Sequence, residues 1–231
     1  MKNVARWLLT LIVLASAGVA AGQDVSKATA AQEESKPTAS QEDAKAVIKM
    51  VEAKYKTVSV MKAAFVQTTH SEVFGDEKQQ GEVTLKRPGM MRWDFRNGVD
   101  RQFVTDGTKM WIYNKTENQV IEYNDVSSSA SAADSLLQSL DRMDELFNIE
   151  MPSPTDDGYV MILRPKATEQ LKMLKLVLEK DLVVRSVTIT DAFDNITELI
   201  FSEMKFNVEA PDSIFKFIAP AGAEVISTSN P

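Results

Sequence analysis

The chain has 231 residues, with 26 Lys and Arg, 33 Asp and Glu, one His and no Cys. This length fits one domain with appended segments, and a hydrophobic fraction of 44% is enough for a buried core. The lack of Cys excludes disulfides, thiolate metal sites and a Cys nucleophile, and the formal charge of −7 argues against a nucleic-acid partner.

Residues 1–22 are predicted to be a secretory signal peptide. Lys2 and Arg6 precede the short apolar run Trp7–Leu14, and small residues follow it. An uncleaved anchor is the alternative, but the run is shorter than the roughly 20 apolar residues of a membrane span. Residues 23–40 are Ala-, Ser-, Thr-, Gln- and Glu-rich and are predicted to be a flexible spacer. Residues 41–231 then form one exported domain.

One helix followed by strands is predicted for the first half of that domain. A capping box begins at Ser40, and apolar residues recur at helical spacing from Val47 through about Thr57. Apolar residues then recur at every second position, which is the period of a β-strand. Asp106-Gly107 separates two such runs and is a strong hairpin signal.

A second helix interrupts the strands. It is predicted over Ala132–Phe147, after the polar loop Ser127–Ser131, and Pro152 follows its end. Four further strand-like runs follow, and a terminal strand is predicted around Phe215, Phe217 and Ile218. About ten strands and two helical regions indicate an antiparallel sheet curled into a barrel or half-barrel.

The search for catalytic chemistry is negative. His70 is the only imidazole, and its neighbours Ser71 and Glu72 cannot both share its strand face, so His70 is interpreted as a surface residue. No nucleotide-binding or hydrolase motif is present, and the scattered Asp residues lack the spacing of a calcium loop. We therefore predict no catalytic residues, no metal ligands and no cofactor, and the protein is not expected to be an enzyme.

Apolar residues occupy both faces of several neighbouring strands. Met90 and Met91 are adjacent, and the run Met110–Tyr113 is entirely apolar or aromatic. A sheet packed on one face should instead alternate between apolar and polar positions. Two interpretations remain open: a thick core with helices packed inside the curved sheet, or an apolar cavity for a lipid-like ligand.

Most of the domain resembles the LolA family of periplasmic outer-membrane lipoprotein carriers. The matching motifs are Ala64-Phe65-Val66-Gln67, Lys86-Arg87-Pro88, Arg92-Trp93 and the stretch Thr105–Tyr113. Later similarity is found at Val160–Lys166 and Phe215–Val225. The combination of these motifs is fairly specific for the family: an Arg-Pro pair, then Trp, then Asp-Gly and Trp-x-Tyr at this spacing. Each motif alone is a weak indication.

The resemblance implies a mainly β fold with some α-helix. It implies an unclosed antiparallel β-barrel of about 10–11 strands, with helices forming a lid over an apolar cavity. The implied task is to accept acylated lipoproteins from an inner-membrane lipoprotein-releasing ABC transporter and to deliver them to an outer-membrane acceptor lipoprotein. Such a carrier would work in the periplasm, and it is expected to be a monomer.

The resemblance also implies which residues carry the function. Arg87 would lie near the cavity mouth, hydrogen-bond lid carbonyls and control release, although an ordinary solvated Arg beside a turn Pro is the alternative. The candidate cavity or lid residues are Phe65, Leu85, Met91, Trp93, Phe95, Met110, Ile112, Leu136, Leu140 and Met143.

Two other functions share the implied fold. A lipid- or lipoprotein-sensing regulatory protein of the periplasm usually adds a second domain, for which about 190 residues leave no room. The outer-membrane acceptor is anchored by a lipidated Cys, and this chain has no Cys.

Overall fold

The computed structural model describes residues 39–73, 75–97, 100–124, 140–150, 152–167 and 171–228. The predicted signal peptide and nearly all of the predicted spacer lie outside these ranges, as does the first half of the predicted second helix. Within the described ranges, no helix is both long and apolar enough to cross a lipid bilayer.

The first helix, α1, spans Ala39–Lys56 and confirms the predicted helix. Its first two residues were assigned to the spacer. Val51 and Tyr55 lie one helical turn apart and are fully buried, and Val47 and Ile48 are also buried. Lys54 and Lys56 occupy the last turn, where their charges favour the helix dipole. One apolar stripe therefore docks α1 onto the sheet.

Strands make up most of the described residues. Thirteen are present there: β1 Val60–Ser71, β2 Gly75–Lys86, β3 Met90–Arg96, β4 Arg101–Asp106, β5 Met110–Asn114, β6 Gln119–Tyr123, β7 Phe147–Ile149, β8 Ser153–Thr155, β9 Gly158–Pro165, β10 Leu171–Glu179, β11 Val184–Asp191, β12 Ile196–Phe206 and β13 Glu224–Thr228. The count exceeds the predicted 10–11 because β7 and β8 have three residues each, too few to show a period of two.

These strands form one sheet. Its order is β13-β6-β5-β4-β3-β2-β1-β12-β11-β10-β9-β7, and β8 also pairs with β9. Every pairing is antiparallel except that of β13 with β6, which is parallel. The edge strands β13 and β7 do not pair with each other, so the sheet is unclosed. The mainly β, unclosed antiparallel fold class is confirmed.

The sheet curves around a single interior. Met110 and Ile112 of β5 belong to the same buried cluster as Leu163 of β9, although seven strands separate β5 from β9 in the sheet. Alternation along β1 defines this inner face, because Phe65 is buried there while Val66 on the opposite face is partly exposed. Side chains of α1 complete the cluster.

The second predicted helix is shorter at its C-terminal end than expected. Among the described residues it is one turn, α2, spanning Met143–Leu146, and Leu140 lies in the turn before it. Phe147 has extended backbone angles and is the first residue of β7, where it pairs with Pro165. Its apolar side chain fitted the helical pattern, but pairing with β9 determines its conformation.

The predicted terminal strand at Phe215–Ile218 is wrong. Asp212–Phe215 is a 3-10 turn that follows Pro211, and the strand begins only at Glu224. The segment 207–223 instead crosses the outer face of the sheet. Phe215 is fully buried there, and the Phe217 ring lies 6.3 Å from Trp111 and 5.6 Å from Tyr113. This crossing accounts for the apolar residues on the second face of β5.

Candidate functional site

An aromatic cluster occupies the centre of the inner face. The Phe65 ring lies 4.7 Å from the Trp93 ring and 5.1 Å from the Phe95 ring, in edge-on geometry. Phe103 and Phe201 extend the cluster across β4 and β12. Each of these side chains is at most 5% exposed. They form the largest continuous aromatic surface of the described interior.

The described candidate cavity residues on strands fall on this one face, and Leu140 and Met143 lie in the segment 140–146. Cross-strand register places Met91 opposite Leu85 and Phe103 between Trp93 and Ile112. Leu136 lies outside the described residues. All the described candidates are buried: Phe65, Leu85, Met91, Trp93, Phe95, Met110, Ile112, Leu140 and Met143. A role for them in ligand binding stays a prediction.

A small apolar pocket lies where α1 meets the sheet. Tyr55, Met61, Leu85, Leu140, Val184, Phe201 and Met204 line it. The space in it that the centre of a water molecule can reach is about 10 Å³, roughly enough for one water. Sites for small organic ligands are typically about 300–1,000 Å³. Among the described residues, this pocket therefore has no room for a long acyl chain unless the elements around it move.

Two elements cover the inner face at this pocket, α1 and the segment 140–146. Leu140 and Met143 are buried beside α1, and the backbone N–H of Asp144 donates to the Glu52 carboxylate at 3.1 Å. Lys54 at the end of α1 donates to the Asp181 carbonyl at 2.7 Å. The Lys166 ammonium donates to the Asp144 carbonyl at 2.6 Å, so polar contacts as well as apolar packing hold this cover.

Arg87 connects both covering elements to the sheet. It follows β2, and its guanidinium donates to the Asp141 carboxylate at 2.6 Å and to the Tyr55 carbonyl at 3.4 Å. The side chains of this ion pair are 24% and 14% exposed, so solvent screens it only partly. The Tyr55 carbonyl belongs to α1, and a role of Arg87 in controlling release stays a prediction. The second partner, Asp141, was not predicted.

Tyr55 anchors the end of α1 through its hydroxyl group, which accepts a hydrogen bond from the Val184 N–H at 2.9 Å. Burial raises the pKa of Tyr55 from its ordinary 10.0 to about 12. Because the pKa of Tyr55 is higher in the folded than in the unfolded protein, the buried neutral hydroxyl contributes its full stabilisation below pH 10. That contribution is lost as the pH rises through 12.

We expect the free energy of unfolding to fall by up to about 3 kcal/mol between pH 10 and 12 on account of this group. Denaturant titrations at both pH values test this, and Tyr55→Phe should lose that component. Tyr159→Phe is the matched control, on a partly exposed tyrosine of β9, and should keep it. A pH dependence unchanged in Tyr55→Phe would contradict the assignment.

A polar group occupies the other part of the inner face. Gln67, Gln79 and Arg101 are all at most 4% exposed. The Arg101 guanidinium donates to the Gln79 amide oxygen at 2.9 Å, and the Gln79 amide donates to the Glu77 carboxylate at 2.6 Å. Sequence reasoning missed this group. The sequence does contain an indication of it. Arg101 lies two residues before Phe103 on the same strand, so alternation places this cation on the face that carries Phe103.

His70 lies on the surface, as predicted. Its imidazole is about half exposed, and Nδ1 lies 2.9 Å from the Asp76 carboxylate across the β1–β2 pairing. No cluster of His, Asp and Glu with metal-binding geometry is found in the part of the chain that the structure describes.

Comparison with known proteins decides the family. The model of the family "Outer membrane lipoprotein carrier protein LolA" matches residues 56–218. The chain belongs to the LolA family. The match runs from the end of α1 to the segment 207–223 and includes Arg87, Arg101 and the aromatic cluster. Most of α1 and all of β13 lie outside it.

Individual relatives within the LolA family agree. The outer-membrane lipoprotein carrier protein of Methylobacillus flagellatus is 28% identical over 181 residues, covering 78% of this chain and 88% of the relative. The protein of the same name from Hahella chejuensis is 31% identical over 176 residues, with 74% and 83% covered. A crystal structure of an uncharacterised conserved protein from Thermus thermophilus has a TM-score of 0.51 and 15% identity, with 80% and 99% covered. That last likeness concerns the fold alone.

Proposed function

We propose that this protein is a periplasmic carrier that shields the acyl chains of lipoproteins and passes them toward the outer membrane. The family and the names of its relatives support this role. The observation that carries it is the apolar inner face, which is covered by two separate elements that Arg87 joins to the sheet. No chemical step is needed for this task.

The energetics make such a carrier necessary. Each methylene group of an acyl chain contributes about 0.8 kcal/mol when it is removed from water. An acylated protein therefore does not cross an aqueous compartment unaided at a useful rate. An interior of Phe, Trp, Met and Leu side chains offers the chains an apolar environment, and Met adapts to their shape because it is flexible and polarizable.

The same interior explains how cargo could leave. The pocket beside α1 has room for roughly one water molecule and not for an acyl chain, so loading there must displace α1, the segment 140–146 or both. Displacement exposes apolar side chains such as Val51 and Met143, which are fully buried in the closed form. The closed empty state thus competes with the loaded state, and binding is weaker than insertion into a membrane.

Arg87 is proposed to set this balance. Its ion pair with Asp141 and its hydrogen bond to the Tyr55 carbonyl are made only when both covering elements lie over the sheet. These contacts stabilise the closed state and therefore favour release.

The partners proposed for the two ends of the cycle are an inner-membrane lipoprotein-releasing ABC transporter and an outer-membrane acceptor lipoprotein, with the carrier acting as a monomer.

A binding assay tests the carrier role. We expect the purified protein to bind a triacylated lipopeptide and to keep it in solution, because acyl burial drives association. The same peptide without acyl chains is the control and should not bind. Gel filtration followed by mass spectrometry of the protein fraction measures both. Equal behaviour of the two peptides would contradict the proposed function.

A further inference from the structure

Arg101 is a cation enclosed in the interior. It is 4% exposed, and its guanidinium carbon lies 4.9 Å from the centre of the Phe95 ring and 5.2 Å from that of Phe103. Both distances are within the range of cation–π contact. Burial lowers the pKa of Arg101 and the negative charge of Glu77 raises it, but an arginine side chain stays protonated at neutral pH.

Carboxylates do not neutralise this charge directly. Among the described residues, no carboxylate oxygen lies within ion-pair distance of Arg101, and the Glu77 carboxylate binds the Gln79 amide instead. A buried cation without a bonded anion is unfavourable, and contact with aromatic rings offsets only part of that cost. The fold therefore keeps beside the aromatic cluster a positive charge that no bonded carboxylate balances.

Two buried donors beside the Phe95 ring lack hydrogen-bond partners among the described residues. They are Nε of Arg101 and Nε1 of Trp93. The Trp93 ring lies 6.3 Å from the Phe95 ring in stacked geometry, and Arg101 lies over the same ring. Buried donors are nearly always paired in folded proteins, so such exceptions call for an explanation. An acceptor oxygen of a ligand beside Arg101 would satisfy its Nε.

Polar and apolar regions adjoin on this face. Gln67 lies two residues after Phe65 on β1. Gln79 lies two residues before Gly81 on β2, and Gly81 pairs with Phe95. An arginine fork bonds a carboxylate or phosphate in two-point geometry. The adjoining rings offer an acyl chain an apolar surface. The inner face is thus itself amphiphilic, with its cation at the boundary.

We propose that Arg101 binds the anionic head, a carboxylate or phosphate, of an amphiphile whose acyl chain lies against the Phe65, Trp93 and Phe95 rings. The chain-binding half of this inference rests on the proposed function, whereas the head-group half rests on Arg101 alone. The protein would then prefer anionic over neutral amphiphiles of the same chain length.

Displacement of the fluorescent probe N-phenyl-1-naphthylamine from the full protein tests the preference. We expect hexadecanoate and monohexadecyl phosphate to bind about tenfold more tightly than hexadecan-1-ol, which corresponds to one charge-assisted hydrogen bond. In Arg101→Met this preference should disappear while the affinity for hexadecan-1-ol stays the same. Acetate and inorganic phosphate, which lack a chain, should displace no probe at the concentrations used.

Arg185→Met is the matched control, since Arg185 is exposed and pairs with Glu179 at the surface. It should keep the full preference, and Arg101→Lys should keep part of it because it preserves the charge without the fork. Thermal unfolding verifies that each variant folds, and Arg101→Met should be at least as stable as the parent. If hexadecan-1-ol and hexadecanoate bind equally, or if Arg101→Met keeps the preference, this inference fails and the carrier function stands. If no chain-bearing probe binds at all, both fail.

Discussion

Replacing Arg87 with leucine is expected to leave loading of an acylated lipoprotein intact and to slow its release to an acceptor roughly tenfold or more. The variant loses the ion pair to Asp141 and the hydrogen bond to the Tyr55 carbonyl. A hydrogen bond to a charged group contributes about 1.5–3 kcal/mol, equivalent to roughly a ten- to hundredfold change in an equilibrium. Because both contacts belong to the closed empty state, their loss favours the loaded state.

Transfer between the purified carrier and a purified acceptor measures this effect. Arg185→Leu provides a control that removes an exposed Arg and its surface pair. Asp141→Asn should act in the same direction as Arg87→Leu, and the double variant should add little to either single change because both remove one interaction. Transfer by Arg87→Leu at the parental rate would refute the role of this side chain.

Phe65→Ala is expected to lower the free energy of unfolding by about 3–5 kcal/mol. Phe65 is 1% exposed, touches the Trp93 and Phe95 rings and lies on β1, which pairs with strands on both sides. Its removal leaves a cavity that the surrounding rings cannot fill without leaving their own packing. Urea denaturation monitored by tryptophan fluorescence provides the measurement.

Phe193→Ala is the matched substitution at an exposed site. Phe193 lies in the turn between β11 and β12 and is 79% exposed, so its removal should change the free energy of unfolding by less than about 0.5 kcal/mol. Similar losses for Phe65→Ala and Phe193→Ala would mean that the aromatic cluster does not form the core described above.

Strand periodicity predicted the inner face well. Met91, Trp93 and Phe95 alternate with charged residues, and the structure buries all three on one side. The pattern was less informative on β5, where Trp111 and Tyr113 are also apolar. No local feature shows that the segment 207–223 covers their face, because that contact joins residues about 100 positions apart in the chain.

The candidate site was predictable only in part, for the same reason. Resemblance to a family pointed to Arg87. Its partner Asp141 is 54 residues away, in a region whose sequence pattern predicts a helix, so nothing in the sequence indicates that the two side chains meet. The buried polar group around Arg101 was not predicted, because a charged residue at the start of a short strand usually lies on the surface. Its burial depends on Phe95, Phe103 and Gln79 from three different strands.

The parallel pairing of β13 with β6 has a consequence for biogenesis. β13 follows every other described strand, so β6 presents an unpaired edge until β13 docks, and the rings of Trp111 and Tyr113 lack a cover until Phe217 docks. Unpaired edges and exposed aromatic rings promote aggregation. A chain in which β13 and the segment 207–223 have not yet docked is therefore the form most prone to aggregation.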